Sequence, residues 1–267
     1  MNFQLLIFLF LESIIATMAK NVRIIGGEDA DITEFPYMAS FRIYKDELLI
    51  CGGAIISHQH ILTAAHCFEN RRKSDIRVYL GTTNSRNYSI PYYKIRNVAA
   101  HPNYLKIDKK SRWTVLNDIA IVTIEPNIEF NAFQNKIDLP TKEIKVGETA
   151  IMTGWGWRTY PKGTTSNTLQ KISMKVIPNC EYDRDYPHMV NDDHLCAFTE
   201  EKAGICMGDS GGPLVSHGKV IGICSFGRLC ALGDPDVYAK VYSYLDFIKS
   251  CMNSVSDSNS TCCCLIL

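Results

Sequence analysis

The chain has 267 residues, 46% of them hydrophobic, and its 28 basic side chains balance 28 acidic ones. That apolar content excludes an intrinsically disordered chain, and zero net charge excludes wholesale nucleic-acid binding. The length suits one large domain or two small ones, with a substantial core either way.

Residues 1–19, MNFQLLIFLFLESIIATMA, combine an apolar stretch with small residues at Thr17 and Ala19. This is the pattern of a secretory signal peptide cleaved after Ala19, although a basic leading region is missing and Glu12 interrupts it. The competing reading is an uncleaved membrane anchor. No other apolar run approaches the ~20 residues a spanning helix needs. The mature chain is therefore expected to be secreted, extracellular and monomeric, with no membrane or nucleic-acid partner. Eleven cysteines in an exported chain imply a disulfide framework, and the odd count leaves at least one thiol without an internal partner. Spacing alone does not give the connectivity.

From Ile24 to about Met252 there is no linker, low-complexity tract or repeat. Short apolar runs recur at YMASFRIY (37–44), GGAIIS (52–57), IRVYLG (76–81), DIAIVTI (118–124), TAIMTGW (149–155) and KVIGICSF (219–226). Each is bounded by Gly, Pro, Asn or Asp, as strands are. Helical periodicity appears in VYSYLDFIKSCM (241–252), where Tyr244, Phe247, Ile248 and Cys251 recur at three- and four-residue steps. Many strands and one terminal helix predict an all-β sandwich or barrel. Residues 253–267, NSVSDSNSTCCCLIL, form a Ser/Cys-rich tail expected to be disordered until its last six residues.

Three segments carry the chemistry: TAAHC (63–67), NDIAIV (117–122) and GDSGGP (208–213). An alcohol is a poor nucleophile at neutral pH, so Ser210 needs a base within hydrogen-bond reach and that base needs an orienting acid. His66 and Asp118 are the candidates. In the chain order His, Asp, Ser, and together with RIIGG, FPYMASF, CGGAIIS, TGWG, SFG and VYAKV, the sequence resembles the chymotrypsin-like serine proteases from Ile24 to roughly Cys251.

The resemblance implies two six-stranded antiparallel β-barrels, a C-terminal α-helix and a catalytic cleft between the barrels. Ser210 would attack a peptide carbonyl, His66 would take its proton, and Asp118 would hold the imidazole tautomer. Ser225 would bond that aspartate, and the N–H groups of Gly208 and Ser210 would receive the oxyanion. Residues 20–23 would be an activation propeptide ahead of a protease domain at 24–252. Cleavage between Arg23 and Ile24 would free an amine to pair with Asp209, so the uncut chain is expected to be an inactive precursor. No cysteine precedes Cys51, so the propeptide cannot stay tethered by a disulfide. The implied bridges are Cys51–Cys67, Cys180–Cys196 and Cys206–Cys230, the last walling the substrate pocket. Cys224 stands where the family usually has a small aliphatic residue, and Cys262 to Cys264 have no family counterpart.

The family's pocket-floor position holds Gly204, and Asp236 projects from the opposite wall, with Ile205, Met207, Ser225, Phe226 and Gly227 completing the lining. Gly floor with Asp wall resembles crustacean serine collagenases and insect chymotrypsin-like enzymes, implying a broad or mixed chymotrypsin-like and basic P1 preference. Expected partners are protein or peptide substrates, an activating protease and protein protease inhibitors; no cofactor or metal is expected. The family's calcium-loop acids are absent from TTNSRNYSIPYY (82–93). Lys106, Lys109, Lys110 and Arg112, with Arg71, Arg72 and Lys73, are candidates for a basic exosite or a merely solvated face. His58, His60 and His101 are read as structural. Asn87 and Asn259 open N-x-S/T sequons. The alternative function is a catalytically silent homologue acting as a binding or decoy protein.

Overall fold

Runs of β-branched and aromatic residues too short to make a stable helix become strands that bury their apolar side chains against one another. The computed structural model describes residues 25–108, 113–178, 180, 190–200, 202–227, 230–253 and 265–266. A short edge strand β1 (Glu28–Asp29) precedes β2 (Met38–Ile43), β3 (Leu48–Ile55), β4 (His60–Thr63), β5 (Ile76–Leu80) and β6 (Tyr93–Ala100). A separate two-stranded hairpin of β7 (Leu105–Asp108) and β8 (Trp113–Leu116) follows, then β9 (Ala120–Glu125). The first barrel runs β6-β5-β2-β3-β4-β9 and closes where β9 pairs with β6.

The second barrel comprises β10 (Thr149–Gly154), β11 (Gln170–Ile177), β12 (His194–Phe198), β13 (Pro213–Ser216), β14 (Lys219–Phe226) and β15 (Asp236–Lys240). Its order is β11-β10-β13-β14-β15-β12, closed by β11 on β12, with β1 added outside β11. Two closed six-stranded antiparallel barrels therefore match the expected architecture, and closure removes the exposed edges that an open sheet would carry. β11 shows the half-buried pattern most plainly: Ile172, Met174 and Val176 point inward while Ser173 and Lys175 face water.

One hydrophobic core continues from the first barrel (Phe41, Ile55, Ile61, Val122) through Trp155, Val220 and Ile223 of the second. It ends on Tyr244, Ile248 and Cys251. Burying a side chain such as Ile61 contributes roughly 1.5–3 kcal/mol, so this shared core fixes the barrels against each other and holds the groove between them in shape. The expected helix begins later than its periodicity suggests: Val241–Tyr244 is a 3₁₀ turn, and α1 spans Leu245–Asn253. Tight turns of this kind are frequent at helix starts. Part of the tail is ordered: β16 (Leu265–Ile266) pairs antiparallel with Ala99 and Ala100 of β6.

The loop at 82–92 is organised by a side-chain cation. Arg42 is fully buried and donates to the carbonyls of Asn87 (2.9 Å) and Asn84 (3.1 Å), with its guanidinium 4.3 Å from the Tyr79 ring. Burial pulls its pKa down to about 10, which leaves it charged at neutral pH. The described basic side chains of the two candidate exosite segments are held locally: Lys106 pairs with Glu69 at 3.0 Å, Arg72 with Asp75, and Arg71 and Lys73 donate to the Cys67 and Arg96 carbonyls. Lys109, Lys110 and Arg112 lie outside the described residues, as do residues 1–24, Asn259 and Cys262 to Cys264. His58 and His60 bond the Ile128 carbonyl and the Ser57 hydroxyl, and His101 packs on Tyr244 and Phe247.

Candidate active site

His66 sits on a short 3₁₀ turn, Ala65–Phe68, that follows β4 directly. The Cys51–Cys67 disulfide ties this turn to β3, and the Thr63 hydroxyl donates to the Gly52 carbonyl at 2.8 Å. Both restraints act within a residue or three of the imidazole, so the ring is carried by a stiff support. Asp118 follows Asn117, whose φ of +52° turns the chain sharply between the hairpin and β9. Asn tolerates that left-handed conformation better than most residues. Its side chain is held on both sides, donating to the Asn103 carbonyl at 2.8 Å and facing the Tyr244 hydroxyl at 3.4 Å.

The Asp118 carboxylate is shut away from water and accepts three hydrogen bonds. The backbone N–H of His66 reaches Oδ1 at 2.9 Å, while His66 Nδ1 (2.7 Å) and the Ser225 hydroxyl (2.5 Å) reach Oδ2. Ser225 gains this aim from a register shift in the β14–β15 pairing between Cys224 and Phe226, which turns one extra residue out of the ladder. Burial alone would raise the Asp118 pKa, but the facing His66 and these donors outweigh it and hold the pKa below the ordinary carboxylate value. An ionised carboxylate facing Nδ1 requires the proton there, which leaves Nε2 as the basic nitrogen.

Ser210 lies on the second barrel's loop into β13, and glycines make its approach to the first barrel possible. A side chain on Gly211, whose φ is +75°, would stand 2.6 Å from the Gly52 carbonyl and collide with the Thr63 hydroxyl. The Ser210 carbonyl accepts the Gly52 N–H at 2.8 Å, docking the serine onto β3 beside the histidine turn. Asp209, Gly211 and Gly212 donate their N–H groups to Cys206, Cys224 and Asp209 carbonyls. Among the described residues no hydrogen bond joins the Ser210 hydroxyl to His66; Nε2 lies 4.0 Å from Cys67 Sγ. Such bonds commonly tighten only once substrate is bound.

Two further carboxylates lie under this loop. Asp209 is fully buried and takes N–H groups from Gly156 (2.7 Å) and Cys206 (3.0 Å); a side chain on Gly154 or Gly156 would collide with it. Burial pushes its pKa up to about 6, against the pull of those two amides. Asp236 accepts the Ile205 N–H at 2.9 Å, and burial, with Asp209 nearby, pushes its pKa up to about 8. A cavity of about 300 Å³ opens beside Ser210, lined by Ile205, Met207, Phe226, Gly227 and the Cys206–Cys230 disulfide. Ser225 also reaches it, whereas Gly204 and Asp236 stand behind the lining. A side chain on Gly204 would come within 2.9 Å of Asp236 Oδ2, so the carboxyl occupies the space that the glycine leaves. Tyr160 and the buried thiol of Cys224 also line the cavity and escaped sequence reasoning. Tyr160 sits in a polar loop with no periodic signal, and Cys224 reads as an ordinary core residue.

Two closed barrels that meet at a histidine, a buried aspartate and a serine define a chymotrypsin-like serine endopeptidase. The trypsin family profile matches residues 24–248, and the chain belongs to that family. It is 35% identical over 229 residues to Chymotrypsin-2 of Vespa crabro, an alignment that covers 85% of this chain and 98% of the relative. Brachyurin of Leptuca pugilator is 32% identical over 231 residues, with 85% and 97% covered. Among solved structures, neuropsin, a serine protease expressed in the limbic system of mouse brain, superposes with a TM-score of 0.75. The two are 29% identical, with 85% of this chain and 98% of that one covered. No described helix is long and apolar enough to cross a membrane.

Proposed function

We propose that the protein is secreted as a precursor, is cut between Arg23 and Ile24, and then hydrolyses peptide bonds through Ser210. The observation that carries this reading is the three-donor anchorage of Asp118, which dictates a His66 tautomer whose Nε2 is free to act as base. Ser210 Oγ adds to the scissile carbonyl as its proton passes to His66 Nε2. The oxyanion is received by the Gly208 and Ser210 amides, and the imidazolium returns the proton to the departing amine. Water then repeats the sequence on the acyl-enzyme, releasing the carboxylic acid and restoring Ser210. A donor to the oxyanion typically contributes about 2.7–4 kcal/mol to lowering the barrier.

Activation follows from the Asp209 socket. Two amides stabilise this carboxylate too little to offset its burial, so an ammonium from a new Ile24 terminus supplies the missing charge and holds residues 204–212 in place. For the residue before the scissile bond, the apolar lining by Ile205, Met207 and Phe226 favours Leu, Phe or Tyr. Asp236, protonated at neutral pH and set behind the lining, adds a secondary acceptance of Lys and Arg that strengthens as pH rises past about 8. Asn87 is half-buried with its Oδ1 on the Ser89 N–H, and we assign it as a glycan site on an exported chain.

Fluorophosphonate labelling tests the catalytic claim. Ser210 becomes labelled after verified cleavage at Arg23, and Arg23→Gln stays unlabelled; a correctly cut chain that resists the reagent would favour the decoy reading. N-terminal sequencing of secreted material, expected to begin at Lys20 or Ile24, checks export. Digestion of a peptide library read by mass spectrometry checks the pocket.

A further inference from the structure

The hairpin of β7 and β8 leads straight into Asp118, yet it belongs to neither barrel. A two-stranded ribbon is marginal by itself, so the exactness of Asp118's position depends on what holds the end of β8. Asn117 is fastened to Asn103 and Tyr244. Across the cleft a second fastening comes from the other barrel. His194, the first residue of β12, is buried, and its Nε2 lies 3.0 Å from the carbonyl of Val115.

The ring has one competent tautomer. Asn191 donates its N–H to His194 Nδ1 at 3.1 Å, so Nδ1 is the acceptor and Nε2–H is the donor to Val115. Its backbone is equally fixed: the His194 N–H bonds the Asn191 carbonyl, and the residue pairs with Ala239 in the β12–β15 ladder. The Cys180–Cys196 disulfide lies two residues further on. The imidazole also meets the ring of Phe226 edge-on, with centroids 5.7 Å apart and planes at 81°. Phe226 adjoins Ser225, whose hydroxyl is on Asp118.

These contacts close a circuit around the catalytic carboxylate: Asp118 to Ser225, Phe226, His194, Val115 and, three residues on, Asp118 again. We propose that His194 is a positioning residue for the peptidase reaction, joining the strand end that delivers Asp118 to the pocket wall that carries Ser225 and Phe226. The inference rests on the reading that Asp118 orients His66. A displacement of about 1 Å in a catalytic group can cost as much as 10²-fold in rate, so losing one of two fastenings is expected to register in turnover.

The test compares two polar replacements in the full chain, processed at Arg23. His194→Gln places a side-chain N–H near the position of Nε2 and keeps a donor for Val115. His194→Asn keeps an acceptor for Asn191 and cannot reach Val115. Active-site titration with a fluorophosphonate counts folded enzyme, so kcat is expressed per folded site. The Asn variant is expected to lose about tenfold in kcat with KM changed less than about twofold, and the Gln variant to stay within about threefold of wild type. Equal kcat in the two variants, or a loss seen only in KM, overturns the assignment. A wild-type chain that is correctly cut but neither labels nor turns over overturns the proposed function, and the role of His194 with it.

Discussion

Asp118 in the cleft and the Asp209–Asp236 pair beneath the serine loop are all buried carboxylates, yet they titrate in opposite directions. Asp118 faces an imidazole, a hydroxyl and an amide, and its pKa falls. Asp209 faces two amides and rises to about 6; Asp236 faces one amide and rises to about 8. Burial is common to all three, so the donors decide the charge. The cleft carboxylate is equipped to stay ionised during catalysis, whereas the pair beneath is short of positive charge and poised to accept it. Arg42 makes the same point with the sign reversed, since two carbonyls and an aromatic face keep a fully buried guanidinium charged.

The largest effect should come from exchanging the cleft carboxylate for an amide. Asp118→Asn turns a donor toward His66 Nδ1, forces the proton to Nε2 and removes the base; kcat is expected to fall about 10⁴-fold with little change in KM. Steady-state kinetics on a peptide amide measures it. A loss of tenfold or less would mean that the donor set around Asp118 matters less than its burial.

Next in size is Asp209→Asn, which, on the proposed cleavage after Arg23, acts oppositely on the cut and the uncut chain. In the cut enzyme the ammonium loses its partner and the oxyanion loop its support, with an expected loss of about 10²-fold in kcat/KM. In the uncut precursor the same change should stabilise. A carboxyl whose folded pKa is about 6, above the ordinary unfolded value of about 3.9, favours folding in its protonated state. Its contribution is complete below pH 4 and is lost as pH rises through about 6. Precursor Tm for Asp209→Asn should therefore exceed wild type at pH 7 and converge with it near pH 4. A lower Tm at pH 7 would show that Asp209 already has a cationic partner before cleavage.

These contrasts were unevenly legible in the sequence. The three segments bearing His66, Asp118 and Ser210 are legible together, through their resemblance to the family's motifs; singly, a serine in a glycine-rich turn or an aspartate before an apolar run marks no more than a turn or a strand end. The alternation in QKISMKVI fits the half-buried β11, although it is not among the apolar runs read as strands. By contrast, the depth of Asp236 behind Ile205 depends on a register shared between β15, β12 and β14, which no local pattern encodes. Tyr160 and His194 reach the site from a polar loop and a strand end distant in sequence. The basic residues read as either an exosite or a solvated face are partly consumed by Glu69, Asp75 and a backbone carbonyl, partners that only folding brings near.

On activity, a smaller effect is expected at Asp236. Its folded pKa of about 8 means that stability falls as pH rises from about 4 to about 8 and levels off above that. Asp236→Asn should remove this slope, so the Tm difference between variant and wild type should widen from pH 5 to pH 8 at about 2–4 °C per kcal/mol. The variant should also lose the alkaline gain in cleavage after Lys and Arg while keeping cleavage after Leu and Phe. A constant Tm difference across that range would place the carboxyl in contact with water.

The smallest effect concerns the tail, and it asks whether Asp118's donors are self-sufficient. β5 pairs with β6 only through Tyr93 and Lys94, and the far half of that edge is taken by Leu265 and Ile266 at Ala100 and Ala99. The other edge of the same two alanines pairs with Ala120 and Ile121, two and three residues beyond Asp118. Ending the chain at Asn253 removes the outer pairing, and each backbone bond contributes about 0.5–1.5 kcal/mol net. Tm is expected to fall by a few degrees on that basis, at about 2–4 °C per kcal/mol. kcat should be unchanged, because the groups that hold Asp118, the His66 ring and N–H and the Ser225 hydroxyl, come from the turn after β4 and from β14, neither of which pairs with β6. A parallel drop in kcat would show that the β6 edge transmits tail pairing to Asp118, making it as dependent on an outside segment as Asp209 is in the proposed activation.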